Sequence, residues 1–127
     1  MLRKIGFYAL VVFYVIAGVN HFINPGFYLD LIPPYLPWHE AINILSGLAE
    51  ILLGLALLIP SLRQKAVWAI VLMLIAFIPA HVYFIQIGSC VEGGLCTTAL
   101  MAWLRLVLIH PLLLLWAWSY RNYGKTT

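Results

Sequence analysis

Several side chains able to do chemistry stand inside segments that otherwise read as lipid-soluble. Glu50 lies near the middle of "ILSGLAEILLGLALLIP", residues 44–60. His21 closes "AGVNH", His81 sits in "FIPAHVYF", and Arg105 sits in "MAWLRLVLIHP". A carboxylate beside an imidazole can hold and pass a proton. A guanidinium can hold a carbonyl or anionic oxygen through several donors at once. Charged groups near a bilayer centre cost at least ~2.5–3.5 kcal/mol, so they face a bundle interior and take partners there. Glu50 and His81 are therefore the catalytic candidates. His21, Asn43, Glu50, His81 and Arg105 form the candidate ligand-binding set, and Asn20, Gln86 and His110 complete the polar inventory of these segments.

The helices that must position these residues follow from composition. The chain has 127 residues, 65% of them hydrophobic and only 9% charged, with a mean hydropathy of +1.02. A soluble domain carries about 25% charged residues, so this chain cannot cover a water-facing surface. Four apolar segments, about 4–23, 39–60, 65–87 and 99–120, are each long enough to cross a hydrocarbon core of ~30 Å. The expected architecture is an all-α, single-domain bundle of four transmembrane helices spanning 1–127. The first segment is too long for a signal-peptide core, and no A-x-A site follows it. The net charge of +3 forms no patch, so no nucleic-acid partner is implied. There is no Gly-rich phosphate loop either. The implied surroundings are the lipid bilayer.

Six of the seven Lys and Arg residues flank the segments on one side: Arg3, Lys4, Arg63, Lys65, Arg121 and Lys125. By the positive-inside rule both termini face the cytoplasm, in a multi-pass protein of the cell membrane. The outer connections are then residues 24–38 and 88–98. The first, "NPGFYLDLIPPYLPW", combines helix-blocking prolines with interfacial aromatics. It is expected either to lie over the bundle as a lid or to serve as a plain anchor loop. The second carries Cys90 and Cys96, spaced C-x5-C. In an oxidising outer compartment they form a structural disulfide; the alternative is a redox-active pair, though the C-x-x-C spacing of such pairs is missing.

Depth and face group the polar residues. His21, His81, Asn43 and Arg105 fall in the outer half, with Glu50 at its lower limit. At about 100° per residue, Asn43, Ser46, Gly47, Glu50 and Gly54 share one stripe, as do Tyr14, Ala17, Gly18 and His21. The first two helices should pack through these small-residue faces, with His21 above Glu50. Arg105 is the expected counter-ion of Glu50, offset by about four residues or ~6 Å of rise. A histidine or a ligand between them is the alternative, and a purely structural ion pair is the third reading. His110 lies roughly 140° around the helix from Arg105 and precedes Pro111. It is expected to serve a helix–helix contact at a kink. Pro79 should free the carbonyl of Ile75 and aim His81 inward. "AGVNHF" and "IPAHVYF" also hint at a two-hairpin repeat. His21, His81 and Glu50 have metal-ligand chemistry but match no metal motif.

The stretch from "AGVNHF" through "LLIP", continuing to "FIPAHVYF", resembles the DoxX-like family of small four-helix membrane proteins. The likeness rests on His21-Phe22, Pro33, Pro34 and Pro37, Ser46-Gly47, Glu50, Gly54 and Pro60, and covers most of the chain. The resemblance implies a four-helix membrane bundle and points to His21, Ser46, Gly47 and Glu50. Some relatives are associated with thiosulfate oxidation coupled to quinone or with thiol redox systems. More distant ones are chaperones for membrane receptors. Three functions are therefore open: a quinone-linked redox component with its site in the outer half, a non-catalytic binding, chaperone or assembly protein, or a purely structural role. The second would grip a small hydrophobic ligand or a membrane-protein partner.

Overall fold

The computed structural model describes residues 1–124. Lys125, one of the basic residues used for orientation, lies outside the described residues. The elements in order are α1 (Leu2–Ile23), α2 (Pro25–Leu29), α3 (His39–Ala56) and α4 (Pro60–Gln86). They are followed by α5 (Ala99–Leu104), a π-helical segment (Arg105–Ile109) and α6 (His110–Ser119). Four stretches are long and apolar enough to cross a membrane: α1, α3, α4, and the run from α5 through α6. Their outward faces carry large apolar residues such as Leu45 and Leu72, which are 65% and 64% exposed. Such faces suit lipid tails.

Two boundaries differ from expectation. The second spanning helix ends at Ala56 rather than Pro60, and the third begins at Pro60 rather than Lys65. Proline lacks an N–H and has its φ preset, so it sits well at the first position of a helix. Ile59 is extended at the N-cap, and "PSLRQK" becomes the opening turn of α4 instead of a loop. The turn between the hairpin's arms is therefore residues 57–59.

The termini meet at one end of the bundle. Trp116 Nε1 donates to the carbonyl of Gly6 at 3.2 Å, and the Tyr120 hydroxyl donates to that of Arg3 at 2.9 Å. Arg63, read from the sequence only as an orientation signal, is buried here. Its Nε donates to the Leu57 carbonyl at 2.7 Å, its Nη1 donates to the Tyr123 carbonyl, and its guanidinium lies 4.8 Å from the Phe7 ring centroid. A buried guanidinium needs this number of acceptors. Above it an apolar core of Leu10, Leu57, Val67 and Ile70 fills the terminal half.

At the opposite end the two long connections converge. Leu31 packs with Phe84 and Ala102, and Val91 and Leu95 close over them. Cys90 and Cys96 are joined by a disulfide in the second connection. The first connection is more ordered than a plain anchor, since it contains the one-turn α2 and buries Leu31, Ile32 and Pro33.

α1 and α3 pack through glycines, as the paired stripes predict. A Cβ placed on Gly18 would stand 2.5 Å from the Gly47 carbonyl oxygen and 2.9 Å from the Ile51 nitrogen. One placed on Gly47 would stand 2.7 Å from His21 Cβ and 2.9 Å from the Gly18 carbonyl oxygen. In lipid, helix association rests on such close packing because burial from water supplies little. Gly18→Ala should therefore destabilise the bundle by about 1–3 kcal/mol, the usual cost of overpacking. Gly26→Ala, which meets nothing within 4 Å, should be neutral. Thermal unfolding of the two variants in detergent checks the contrast.

Candidate functional site

A cavity of about 180 Å³ lies in the loop half of the bundle. All five of the sequence-predicted ligand-binding residues, His21, Asn43, Glu50, His81 and Arg105, line it. Its remaining wall is mainly apolar and includes Leu31, Ile32 and Pro33 from the first connection. That connection therefore acts as a lid over the site.

The geometry begins with Asn43, buried one helical turn inside α3. Its Nδ2 donates to the backbone carbonyl of His21 at 3.1 Å, which fixes the orientation of the amide. Oδ1 must then be the acceptor facing His21 Nδ1 at 2.7 Å, and Nδ1 carries the proton. The imidazole is thereby clamped with Nε2 turned to Glu50 Oε2, 3.5 Å away. That spacing counts as an ion-pair contact but is too long for a good hydrogen bond. Among the described residues Glu50 Oε2 accordingly has no hydrogen-bond partner although it is buried, and the buried Tyr14 hydroxyl has none either. His21 and Glu50 form a unit that can hold one proton on either Nε2 or Oε2 with no change in net charge.

Arg105 corrects the expected pairing. It makes no ion pair with Glu50; among the described residues, the close partner of Glu50 is His21. The guanidinium instead lies 5.7 Å from the Phe84 ring centroid. Helix offset explains the difference. Glu50 is reached first by the histidine directly above it, while Arg105 faces the same cavity from another wall.

His110 also departs from its expected direction. Simple α-helical spacing turns it well away from Arg105, but the intervening residues form a π-helical segment. The His110 backbone N–H bonds to the Arg105 carbonyl, an i→i+5 step, so the turn is wider and His110 is rotated less from Arg105 than 100° spacing gives. Pro111, which offers no N–H of its own, follows immediately. His110 is thereby buried, with Nε2 2.7 Å from the Leu74 carbonyl on α4. That is the helix–helix contact expected of it. Leu74 adjoins Ile75, whose carbonyl loses its usual donor to Pro79. The His110 ring lies edge-on to His81 with centroids 5.0 Å apart, and so backs the cavity wall.

Tyr28 is the residue the sequence reading leaves among the interfacial aromatics. Its ring stacks on His21 with centroids 3.6 Å apart, and its hydroxyl accepts from Asn20 Nδ2 at 2.8 Å. Asn24 Nδ2 in turn donates to Asn20 Oδ1 at 2.6 Å. Burial raises the Tyr28 phenol above its ordinary pKa, while the Asn20 hydrogen bond pulls the other way. No periodic signal joins Tyr28 to His21, because Pro25 starts a new helix between them. Gln86, at the last residue of α4, and Asn20 do not line the cavity. Among the described residues no three His, Cys, Asp or Glu side chains are grouped to hold a metal ion.

These features define a helical membrane protein with a polar-tipped apolar cavity under a lid. Residues 10–121 match the family model described as a domain of unknown function, DUF8561, and the chain belongs to that family. Comparisons with curated proteins and with solved structures gave no match.

The site predicts a contrast in stability. Asn43→Leu strands the buried His21 carbonyl and Nδ1, and should cost about 1–3 kcal/mol. Arg105→Met removes a charge that has no hydrogen-bond acceptor among the described residues, so it should leave stability unchanged or raise it. Thermal melts of the two purified variants check this. A large loss for Arg105→Met would mean that the guanidinium supports the fold itself.

Proposed function

We propose that the protein is a DoxX-like membrane protein that receives a quinone headgroup in this cavity as part of a quinone-linked redox step. The observation that carries the reading is the shared cavity. A guanidinium with no hydrogen-bond acceptor among the described residues and a buried proton-holding pair line one small, largely apolar space. An apolar cavity of roughly 150 Å³ holds a benzene ring, so about 180 Å³ suits a single substituted ring. It is too small for a flavin or a nucleotide, whose sites fall in the ~300–1,000 Å³ range.

A quinone, when bound, would supply two-electron, two-proton chemistry between its carbonyl and hydroxyl forms. Arg105 would donate hydrogen bonds to one ring oxygen. Glu50 would accept or return a proton at the other, with His21 Nε2 taking it up behind Oε2. Asn43 keeps His21 in the tautomer that leaves Nε2 available. Tyr28, stacked on His21, would hold the imidazole plane against the cavity. The lid and the apolar wall would exclude water, which strengthens each of these polar contacts. The distribution of basic residues supports a loop end facing outward, with termini in the cytoplasm of a bacterial-type cell membrane.

The test is direct. Purified protein is extracted with organic solvent and analysed for quinone, and binding of a tail-less benzoquinone is followed by tryptophan fluorescence. Glu50→Gln and Arg105→Met should each weaken binding about tenfold or more while melting like the native protein. Native binding with no reduction of the quinone by thiosulfate or sulfite would favour a binding or assembly protein over a redox component. No binding at all would sink the proposal. For orientation, a C-terminal green fluorescent protein fusion should fluoresce and a C-terminal alkaline phosphatase fusion should be inactive.

A further inference from the structure

The cavity is partly enclosed. Toward the termini, Tyr14, Leu57 and Ile70 are fully buried. Toward the loops, Leu31 and Ile32 are each 9% exposed beneath the lid. On the α1 side the helices touch through Gly18 and Gly47. Of the residues that line the cavity, only Phe27, at the edge of the lid, and Ala76 and Pro79, on α4, are exposed. Ala76 and Ala80 are one helical turn apart, as are Ile42 and Ser46 on α3, and all four line the cavity. Ile42, Ser46 and Ala80 are partly exposed.

The α3–α4 seam therefore differs along its length. Near the turn at residues 57–59 it is filled by the apolar core, through Leu57, Val67 and Ile70. In the loop half its lining residues Ser46, Ala76 and Ala80 are small, and Ile42 is the large side chain beside them on α3. The seam faces hydrocarbon there, since α3 and α4 are both membrane-spanning. A second observation marks the cavity behind it as a ligand site. Glu50 lines that cavity, is 7% exposed, and has Oε2 without a hydrogen-bond partner among the described residues.

We propose that this seam is a lateral portal to the bilayer, and that the occupant is an amphiphile with a one-ring polar head and an aliphatic tail. The proposal rests on the headgroup reading above and adds the route and the tail. Size requires the division. About 180 Å³ accommodates a ring and leaves no room for a long chain. The tail must leave the cavity, and the seam is the exit that opens on lipid at the depth of the site. A chain lying between Ser46 and Ala76 replaces lipid contacts with protein contacts, and the small residues allow it to approach the backbone.

The experiment compares two probes, decyl-benzoquinone and the same ring with a methyl group in place of the decyl chain. Both are titrated into protein in lipid nanodiscs, with tryptophan fluorescence as the readout. Ala76→Leu and Ser46→Val fill the seam from opposite sides, and Ile75→Phe, on an exposed face of α4 outside the cavity lining, is the control. Taking the ratio of each variant to native protein cancels partitioning of the tailed probe into lipid. Ala76→Leu and Ser46→Val should weaken decyl-benzoquinone by about tenfold, since several methylenes lose their seat. Because Ser46 and Ala76 also line the headgroup cavity, binding of the methyl compound should fall too, but by clearly less than that of the decyl compound, and Ile75→Phe should change neither. Equal loss for both probes, or no loss for the tailed one, overturns the portal while the headgroup site stands. Failure of native protein to bind either probe overturns the headgroup reading and the portal with it.

Discussion

The approach of α1 and α3 through Gly18 and Gly47 is the constraint on which the rest of the site depends. Each glycine sits where a Cβ would collide with the other helix's backbone or with His21. This contact sets the height of His21 against α3 and so its reach to Asn43 on one side and Glu50 on the other. A larger separation would break the two-bond clamp between Asn43 and His21 and leave buried polar groups unsatisfied. Because lipid tails are as apolar as the helix faces, close backbone packing and hydrogen bonds have to hold the spans together. Here they occur at the same place.

The polar groups of the bundle fall into two kinds once their partners are known. Arg63, His110 and the His21–Asn43 pair are satisfied by protein acceptors and donors. They hold the termini, α4 against α6, and α1 against α3. Among the described residues Glu50 Oε2 lacks a hydrogen bond, and Arg105 lies near the Phe84 ring. Leaving a buried carboxylate oxygen unmet in a low-dielectric interior is costly, and the partly buried Arg105 lines the same cavity.

Local irregularities carry much of the positioning. The π-helical segment before Pro111 turns His110 inward to the Leu74 carbonyl, and His110 in turn backs His81. Pro25 starts the short α2, which carries Tyr28 back over His21. Each proline removes a backbone donor, and a nearby side chain or a change of helix type accommodates the loss. The resulting wall is hydrogen-bonded at its polar end and lined by the small residues Ser46, Ala76 and Ala80 where α3 and α4 meet it.

The membrane class, the four helices and the polar residues that meet were legible in the sequence. They depend on local quantities: runs of apolar residues, the 3.6-residue period, and the cost of charge in lipid. The stripe through Gly47 and Glu50 and the stripe through Gly18 and His21 were enough to pair α1 with α3. The partner of Glu50 was settled only by the tertiary structure, because His21 and Arg105 are equally admissible by depth and only packing ranks them by distance. The direction of His110 required the π-helical turn, which 100° spacing does not foresee. The stacking of Tyr28 on His21 and the burial of Arg63 came from chain reversals at Pro25 and Pro60. Such contacts join segments with no shared period, so only the folded chain decides them.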